Sequence, residues 1–275
     1  MPELPDLEVI RENLTARLSG RAVISVNVRR PGLVQAGAAD LSPLLGQTLR
    51  EVSRRGKHLI LHFDQNLFLI IHLMRFGWLW HGSSHYEITK ATTLSISFAD
   101  GTDLRLIEPG TPQIAAVWLY SDLSQAEPLK KLGPEPLSPE FTLETFSQAL
   151  RGKRRLVKKV LLDQAIVAGI GNAYADEILF WAKLSPFRYV HTLSDEEIER
   201  LWKAIPETLR WAVGEIKARV GENLFDKEIR DFLYVHGRAG VPCRLCGTPI
   251  GEVLFEGQRT NFCPRCQNVS QPLKK

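Results

Sequence analysis

Hydrophobic residues follow two different spacings along the chain, and the change between them divides the sequence. From Pro5 to Leu18 they recur every three or four positions, which predicts a helix that packs one face inward and ends at Gly20. After Ala22 the pattern changes to short runs rich in β-branched and aromatic residues, separated by turn residues. The predicted strands are Val23–Val28, His58–Phe63, Leu67–Leu73, Thr93–Phe98 and Asp103–Ile107.

A proline-rich segment follows this strand region. Residues 133–139 contain three prolines, which continue neither a helix nor a strand, so we interpret the segment as a linker. Helical spacing returns from Leu143 to about Leu233, and Ser194 with Glu197 forms a capping-box pattern inside it. We therefore predict three domains, covering residues 1–132, 133–236 and 237–275.

These patterns together predict an α+β protein. The N-terminal domain is expected to be a β-sandwich with flanking helices, because its short strands alternate with turns. The middle domain is expected to be helical, and the last domain is a small module that contains all four cysteines.

Composition narrows the function classes without naming one. The 275 residues are 44% hydrophobic and 24% charged, as in a globular protein. No stretch of about eighteen apolar residues occurs, and the acidic N-terminus lacks the features of a secretory signal, so we expect a cytoplasmic protein without membrane contact. A net charge of +4 permits a polyanionic partner without requiring one.

The cysteines form the strongest local motif. Two Cys-x-x-Cys pairs, made by the residues listed next, are typical of a tetrahedral zinc site with no open coordination position. They are Cys243, Cys246, Cys263 and Cys266. We predict one structural Zn²⁺ per chain, held by a small β-hairpin with basic residues around it. A zinc ribbon of this kind, taken alone, could equally bind protein.

A second candidate site combines cations, glycines and a helix start. Six cations lie within residues 151–159, and the chain then reads Gly169-Ile-Gly171-Asn172 before an apolar helix. A helix N-terminus beside glycines presents free backbone N–H groups, which suit a DNA phosphate. Either feature alone also has a simpler interpretation, a solvated charged face or a tightly packed helix hairpin.

The first residues offer unusual chemistry. The chain begins Met1-Pro2-Glu3, and removal of Met1 would leave proline with a free secondary amine. An α-amine has a pKa near 8, against about 10 for a lysine side chain, so a usable fraction is neutral at pH 7. Such an amine can attack a sugar C1′ and form an iminium. Helix capping by early acids and prolines is the alternative interpretation.

Taken in order, these motifs resemble the formamidopyrimidine-DNA glycosylase and endonuclease VIII family. The resemblance spans almost the whole chain and includes a helix-two-turn-helix through Asn172 and a zinc hairpin that carries Arg259. It implies roles for individual residues. Pro2 matches the nucleophile, Glu3 the acid/base group, and Lys57, with Asn172 and Arg259, the groups that hold phosphates around an extruded nucleotide. His72, next to Leu73, matches a further DNA-contact position.

The resemblance also implies an activity and a partner. The expected enzyme is a bifunctional DNA glycosylase and abasic-site lyase, acting as a monomer on double-stranded DNA that contains damaged bases or abasic sites. Its cofactor requirement is the structural zinc alone. Lys57, Asn172 and Arg259 are expected to meet at a cleft between domains. A non-catalytic damaged-DNA-binding protein on the same scaffold is the alternative function, and a zinc-ribbon protein-interaction factor is a third.

Two departures from the family pattern leave questions open. Where the family carries a loop whose arginine and phenylalanine fill the space left by the flipped base, residues 108–114 read Glu-Pro-Gly-Thr-Pro-Gln-Ile. One hypothesis is that Met74, Arg75 and Phe76 supply this wedge together; ordinary strand packing is the alternative. Asp6 stands where the family usually has glutamate, so its role is open. Lesion preference and removal of Met1 are open as well.

Overall fold

The computed structural model describes residues 1–35, 40–255 and 257–269. Contacts divide the chain into two compact units. The first, the β-sandwich unit, comprises Met1–Lys130 and Ile216–Glu228, and the second, the helical unit, comprises Lys131–Glu215 and Ile229–Lys275. The three domains predicted from sequence stay a prediction. Within the described residues, no helix combines the length and apolar character needed to cross a bilayer.

Two four-stranded antiparallel sheets form the β-sandwich unit. One has the order β1-β6-β7-β5 and the other the order β2-β3-β4-β8. Their bounds are β1 (Val23–Val28), β2 (Leu49–Arg55), β3 (His58–Phe63), β4 (Leu67–His72), β5 (Trp78–Ser83), β6 (Thr92–Phe98), β7 (Thr102–Ile107) and β8 (Ala116–Tyr120). The predicted α+β class with an N-terminal sandwich is confirmed.

The predicted N-terminal helix is confirmed as α1 (Leu4–Leu18). Its buried residues include Leu7, Ile10, Leu14 and Leu18, and all four join the core between the sheets. The short helix α2 (Glu127–Lys130) ends the first part of this unit. Three strands, β2, β5 and β8, were not among those predicted. Charged or polar residues interrupt the apolar run in β2 and β5, whereas β8 is a short apolar run.

The helical unit contains short helices before one long helix. They are α3 (Leu143–Leu150), α4 (Val157–Leu161), α5 (Asn172–Trp181) and α6 (Asp195–Val220), the last of which contributes residues to both units. Helical structure therefore ends at Val220 rather than near Leu233. The apolar stretch after α4 is buried but turns instead of continuing the helix.

A zinc-finger-like hairpin completes the helical unit. Strands β9 (Gly251–Phe255) and β10 (Gln258–Phe262) pair antiparallel, so that Arg259 lies opposite Leu254. The hairpin is attached to α5 through Asp176, whose Oδ2 accepts a 3.2 Å hydrogen bond from the backbone N–H of Asn261.

A buried cation joins α4 to the same assembly. Lys158 is only 4% exposed, and its Nζ lies 2.6 Å from Oδ1 of Asp176. It also donates to Thr260 Oγ1 at 2.9 Å and to the backbone carbonyl of Arg259 at 3.2 Å. One member of the cationic run therefore lies inside the unit instead of on a solvated face.

A neighbouring carboxylate holds the segment that leads to the hairpin. Glu177 is fully buried and accepts backbone N–H hydrogen bonds from Tyr234, Val235 and His236 at 2.8–2.9 Å. Burial raises the pKa of the Glu177 carboxyl, while these three hydrogen bonds oppose the rise. His236 Nδ1 in turn lies 2.8 Å from Asp176, so adjacent acids on α5 organise two segments of the unit.

We expect Lys158→Met to destabilise the helical unit by about 3–5 kcal/mol, because it leaves the buried carboxylate of Asp176 without its cation. Urea denaturation followed by tryptophan fluorescence measures this change. Arg154→Met is the matched control, since Arg154 belongs to the same cationic run but is exposed. Equal stability of the two variants would show that the buried ion pair contributes nothing to the fold.

Candidate functional site

The start of the chain enters a cavity of the β-sandwich unit. Pro2 is buried and lines a cavity of about 180 Å³. The other walls are Ile10 of α1, the turn around Phe76, Pro109 and residues 225–228. Any group that reaches the nitrogen of Pro2 from this cavity therefore meets a partly apolar, partly charged environment.

Met1 occupies the position in front of Pro2. Its terminal ammonium lies 2.6 Å from Oε1 of Glu228. While Met1 is present, the nitrogen of Pro2 belongs to a peptide bond and is not nucleophilic. The contact also shows that a terminal ammonium is accommodated beside a carboxylate on this side of the cavity. Glu228 was not among the residues predicted from the sequence, because no local motif connects it to Met1, more than two hundred positions earlier.

Glu3 begins α1 and is almost fully buried, with 4% of its surface exposed. Its backbone N–H donates a 2.9 Å hydrogen bond to Oδ2 of Asp6, and the Glu3 side chain accepts from the third helical residue in return. This reciprocal pair is a capping box, which fixes the first turn of the helix. The structure thus gives Asp6, whose role the sequence left open, a positioning function for Glu3.

Lys57 lies in the two-residue turn between β2 and β3. Gly56 before it has a φ of +57°, a conformation that favours glycine. Burial lowers the pKa of Lys57, while the negative charge of Glu3 opposes the shift. The structure therefore brings Lys57 and Glu3 within electrostatic range of each other.

Arg54 fastens this turn to the first helix. Its Nε donates to Oε2 of Glu8 at 2.9 Å, and its Nη1 donates to the carbonyl of Gly56 at 3.0 Å. Burial opposes ionisation of Glu8, but hydrogen bonds and charges from Arg54 and Arg11 lower the pKa of Glu8 overall. The contact between Arg54 and Glu8 was not predicted from the sequence.

His72 ends β4 beside a second histidine. The rings of His58 and His72 lie 4.6 Å apart. His58 directly follows Lys57 in sequence, and the charge of Lys57 acts on His72. Burial lowers the pKa of His58 to about 4 and that of His72 to about 3. Both rings are therefore neutral at physiological pH, so His72 can offer a hydrogen bond but no charge to a phosphate. Its predicted DNA contact stays a prediction.

The two segments considered as wedges lie against each other. Met74 adopts a φ of +52° in the turn after β4, and the exposed Arg75 places its guanidinium 5.3 Å from the ring of Phe76. A Cβ at Gly110 would lie 2.9 Å from Phe76, so the ring packs closely on the loop that lacks the family's arginine and phenylalanine. The hypothesis that this turn supplies the wedge stays a prediction, now with a defined arginine–phenylalanine pair.

In the helical unit, two predicted DNA-contact residues are joined directly. Asn172 is the first residue of α5, and its Nδ2 donates a 2.9 Å hydrogen bond to the backbone carbonyl of Arg259. The Arg259 side chain is 74% exposed, and its nearest described acidic partner is Glu252 at 3.5 Å. Asn172 thus holds the hairpin so that the guanidinium projects into solvent beside a helix N-terminus. The predicted meeting of both residues with Lys57 stays a prediction.

The four cysteines converge as their spacing predicts. Their Sγ atoms all lie within 4.8 Å of one another, with 3.9 Å between Cys243 and Cys266 and 3.4 Å between Cys246 and Cys263. A tetrahedral ion with metal–sulfur bonds of about 2.3 Å requires sulfur–sulfur distances of about 3.8 Å. Backbone N–H groups donate to the sulfurs of Cys243 and Cys263 at 3.4 Å, as metal-bound thiolates require. The arrangement fits a closed four-thiolate metal site.

Family comparisons match the chain in three consecutive parts. Residues 1–112 match the formamidopyrimidine-DNA glycosylase N-terminal domain, and residues 132–222 match the formamidopyrimidine-DNA glycosylase H2TH domain. Residues 240–269 match the zinc finger found in FPG and IleRS. The order and extent of these parts agree with the resemblance found from the sequence motifs.

Curated relatives match over nearly the full chain. The formamidopyrimidine-DNA glycosylase of Listeria innocua is 39% identical, with 97% of this chain and 100% of that protein covered. The enzymes of Listeria monocytogenes serovar 1/2a and Geobacillus kaustophilus are 37% and 35% identical over the same shares.

Solved structures of similar proteins contain damaged DNA. A complex between the Lactococcus lactis Fpg and an abasic site containing DNA has a TM-score of 0.86 and 31% identity, covering 96% of this chain and 99% of that one. A complex of the same enzyme with an oxidised pyrimidine containing DNA has a TM-score of 0.86 and 33% identity, covering 97% and 99%. By the matched domains, the identity and the shared fold, the chain belongs to the formamidopyrimidine-DNA glycosylase family.

Proposed function

We propose that this chain excises damaged bases from DNA with the α-amine of Pro2, once Met1 is removed, and then cleaves the strand at the abasic site. The observation that carries the proposal is the burial of Pro2 and Glu3. Pro2 lines a cavity, and the capping box with Asp6 holds Glu3 beside it. A non-catalytic DNA-binding protein would need neither the cavity nor the ordered amine.

The chemistry follows from the position of these groups. A base must leave the stack before its C1′ is reachable, and the phosphates around the flipped sugar must be held. The free amine of Pro2 would attack C1′ while the Glu3 carboxyl donates a proton that assists opening of the sugar ring, and the base departs. The resulting iminium acidifies the C2′ proton, so β-elimination and then δ-elimination cut the strand.

The DNA contacts are assigned by charge and exposure. Lys57 would hold a phosphate next to the reacting sugar, with neutral His72 as a hydrogen-bonding neighbour. In the helical unit, the exposed guanidinium of Arg259 and the start of α5 at Asn172 would bind two further phosphates. Related enzymes in complex with abasic-site, oxidised-pyrimidine and Fapy-dG DNA support double-stranded damaged DNA as the substrate.

Zinc is the metal that the four thiolates fit best. A closed site of four cysteines from two Cys-x-x-Cys knuckles suits Zn²⁺ in a structural role, and it leaves no position for a substrate. Cys243, Cys246, Cys263 and Cys266 would hold it, stabilising the hairpin that carries Arg259. We further infer a monomer that acts in the cytoplasm, where bacterial chromosomal DNA lies.

We expect Glu3→Gln to abolish base excision while DNA binding is retained. Glutamine keeps the size and the hydrogen-bonding capacity at the helix start but cannot donate the same proton, so the rate should fall by at least about 10²-fold. Single-turnover excision from lesion-containing duplex measures the rate. Glu12→Gln, on the same helix and further from the cavity, should leave it unchanged.

The point of covalent attachment tests the nucleophile separately. Borohydride reduction of the complex with abasic-site DNA, followed by peptide mass spectrometry, should place the adduct on the N-terminal peptide. A variant with one residue added before Pro2 that resists processing should form no adduct. Attachment to Lys57 or to another internal residue would overturn the assignment of Pro2.

Arg259→Ala should reduce the salt dependence of DNA binding. The dependence of log K on log salt should lose about one unit of slope, since one phosphate contact and its released counterion disappear. Fluorescence anisotropy with an abasic-site duplex between 50 and 200 mM salt measures it. Arg265→Ala, at the other end of the zinc-finger module, should leave the slope unaltered; an unchanged slope in Arg259→Ala contradicts the assignment.

Metal analysis tests the zinc site directly. Purified protein should contain one zinc per chain, and Cys263→Ser should lose it together with most DNA affinity, because folding of such a hairpin is coupled to metal binding. The β-sandwich unit should stay folded in this variant, as judged by far-ultraviolet circular dichroism. Excision activity in protein that contains no zinc would contradict the assignment of a structural zinc.

A further inference from the structure

Trp181, the last residue of α5, stands between two cavities of the helical unit. One cavity, of about 450 Å³, runs along α6 and is lined by Arg200, Lys203, Trp211 and Tyr234 among others. The other, of about 670 Å³, lies by the cysteine knuckles and includes Lys183, Leu245 and Arg265. Since Trp181 lines both, the two cavities form one surface, which we call the Trp181 surface.

Large apolar side chains are exposed on this surface. Trp181 is 38% exposed and Leu245 is 59% exposed. The Trp181 ring lies 4.8 Å from Tyr234 and 6.3 Å from Trp211, with each pair steeply inclined, so the three rings form a fixed aromatic corner. Tyrosine and tryptophan in such rigid clusters bind partner groups at low entropic cost, and contiguous exposed apolar area marks interaction sites.

The cavity along α6 has the length of a short peptide. Its lining residues on the helix extend from Arg200 to Trp211 at intervals of three or four positions, so they share one face. Eleven residues of helix correspond to about 16 Å. An extended segment of about five residues covers the same distance.

The charge of the surface is mainly positive. Four of its lining side chains are cations, against the single carboxylate of Glu207. Lys203 is paired with Glu199 at 2.6 Å, but within the described part of the chain Lys183 and Arg265 have no ion-pair partner. Complementary acidic groups on a partner would therefore be attracted to both ends of the aromatic corner.

The surface lies at the opposite end of α5 from the proposed DNA contact. Asn172 begins the helix and Trp181 ends it, a separation of about 14 Å along the axis. Arg259, which accepts the Asn172 hydrogen bond through its carbonyl, is at the Asn172 end. A ligand on the Trp181 surface therefore leaves the proposed phosphate contacts free.

We propose that the Trp181 surface docks a short linear segment of a partner protein, in which an apolar or aromatic side chain is flanked by carboxylates. The apolar side chain fits against the aromatic corner, and the carboxylates approach Arg200 on one side and Lys183 with Arg265 on the other. A nucleic acid fits less well, because the exposed side chain of Leu245 offers no partner to its phosphates. The position of the DNA face rests on the proposed function, whereas the surface itself does not.

A fluorescein-labelled peptide, Asp-Glu-Leu-Phe-Asp-Glu with an amidated end, carries acids on both sides of its apolar residues and tests the proposal by anisotropy with the full-length, zinc-loaded protein. We expect a Kd of about 10–100 µM, as for a small docking contact. A peptide with lysines in place of its acids, and one with serines in place of its two apolar residues, should each bind at least about tenfold more weakly. Absence of binding by the acidic peptide at 1 mM protein, about ten times the weakest expected Kd, overturns the proposal.

Two variants locate the binding. Lys183→Glu combined with Arg265→Glu should weaken the peptide at least about tenfold, while Lys131→Glu, an exposed cation of the same unit outside both cavities, should not. Leu245→Asp provides a second variant at an exposed position, and its zinc content shows whether the cysteine knuckle is intact. Equal affinity in all variants overturns the location.

The last measurement separates a protein-docking surface from a DNA contact. The peptide should bind with the same Kd whether or not the enzyme is saturated with abasic-site duplex. Displacement by duplex or single-stranded DNA shows a nucleic-acid contact instead and overturns the proposal, while leaving the glycosylase function intact. Conversely, the Glu3→Gln variant should lose excision but keep its affinity for the peptide, which shows that the docking surface does not depend on the glycosylase activity.

Discussion

The hydrogen bond from the Glu3 backbone to Asp6 fixes the first turn of the chain, and the chemistry proposed for this enzyme depends on the position of that turn. After removal of Met1, the amine of Pro2 would not lie at the end of a flexible side chain, so the first turn of the helix that follows would hold its position. The capping box supplies this anchor, and burial of the helix's apolar face against the sandwich holds the helix itself. The proposed nucleophile, the amine of Pro2, would then be fixed without loss of side-chain entropy, which favours a reactive geometry.

Burial changes the character of the charged groups near this terminus. Lys57, His58 and His72 lie close together, and burial lowers the pKa of each. The two histidines are neutral as a result, so the local charge depends on Lys57 and on carboxylates. The charges of Arg54 and Glu8 neutralise each other, and Arg54 connects the turn that contains Lys57 to α1. This connection holds the groups in one arrangement in the DNA-free protein.

The helical unit uses buried charge for a comparable purpose. Asp176 contacts Lys158, His236 and the hairpin backbone. Glu177 accepts hydrogen bonds from three successive backbone N–H groups. Buried carboxylates are costly unless every partner is in place, so this network admits few alternative arrangements of α4, α5 and the hairpin. Arg259 is exposed on a strand whose backbone is fixed from beneath.

The sequence by itself determined the local features. Periodicity located α1 and several strands within a residue, because each buries one face and its spacing records which one. The cysteine spacing predicted the cluster, and the ordered motifs predicted the family. These are properties of contiguous residues, and contiguous residues are what a sequence pattern describes.

Only the tertiary structure decided which distant residues meet. In the sequence, Lys158 belongs to a cationic run that is typical of an exposed surface. Its buried partner Asp176 lies eighteen positions later, on the next helix. Glu228 and Phe225 reach the N-terminal cavity from the far end of the chain, and Phe76 meets Gly110 across a loop. Strands β2 and β5 pair in spite of polar residues because neighbouring strands satisfy their backbone hydrogen bonds. Such pairings depend on the balance of desolvation and contact in the folded chain, which local spacing does not record.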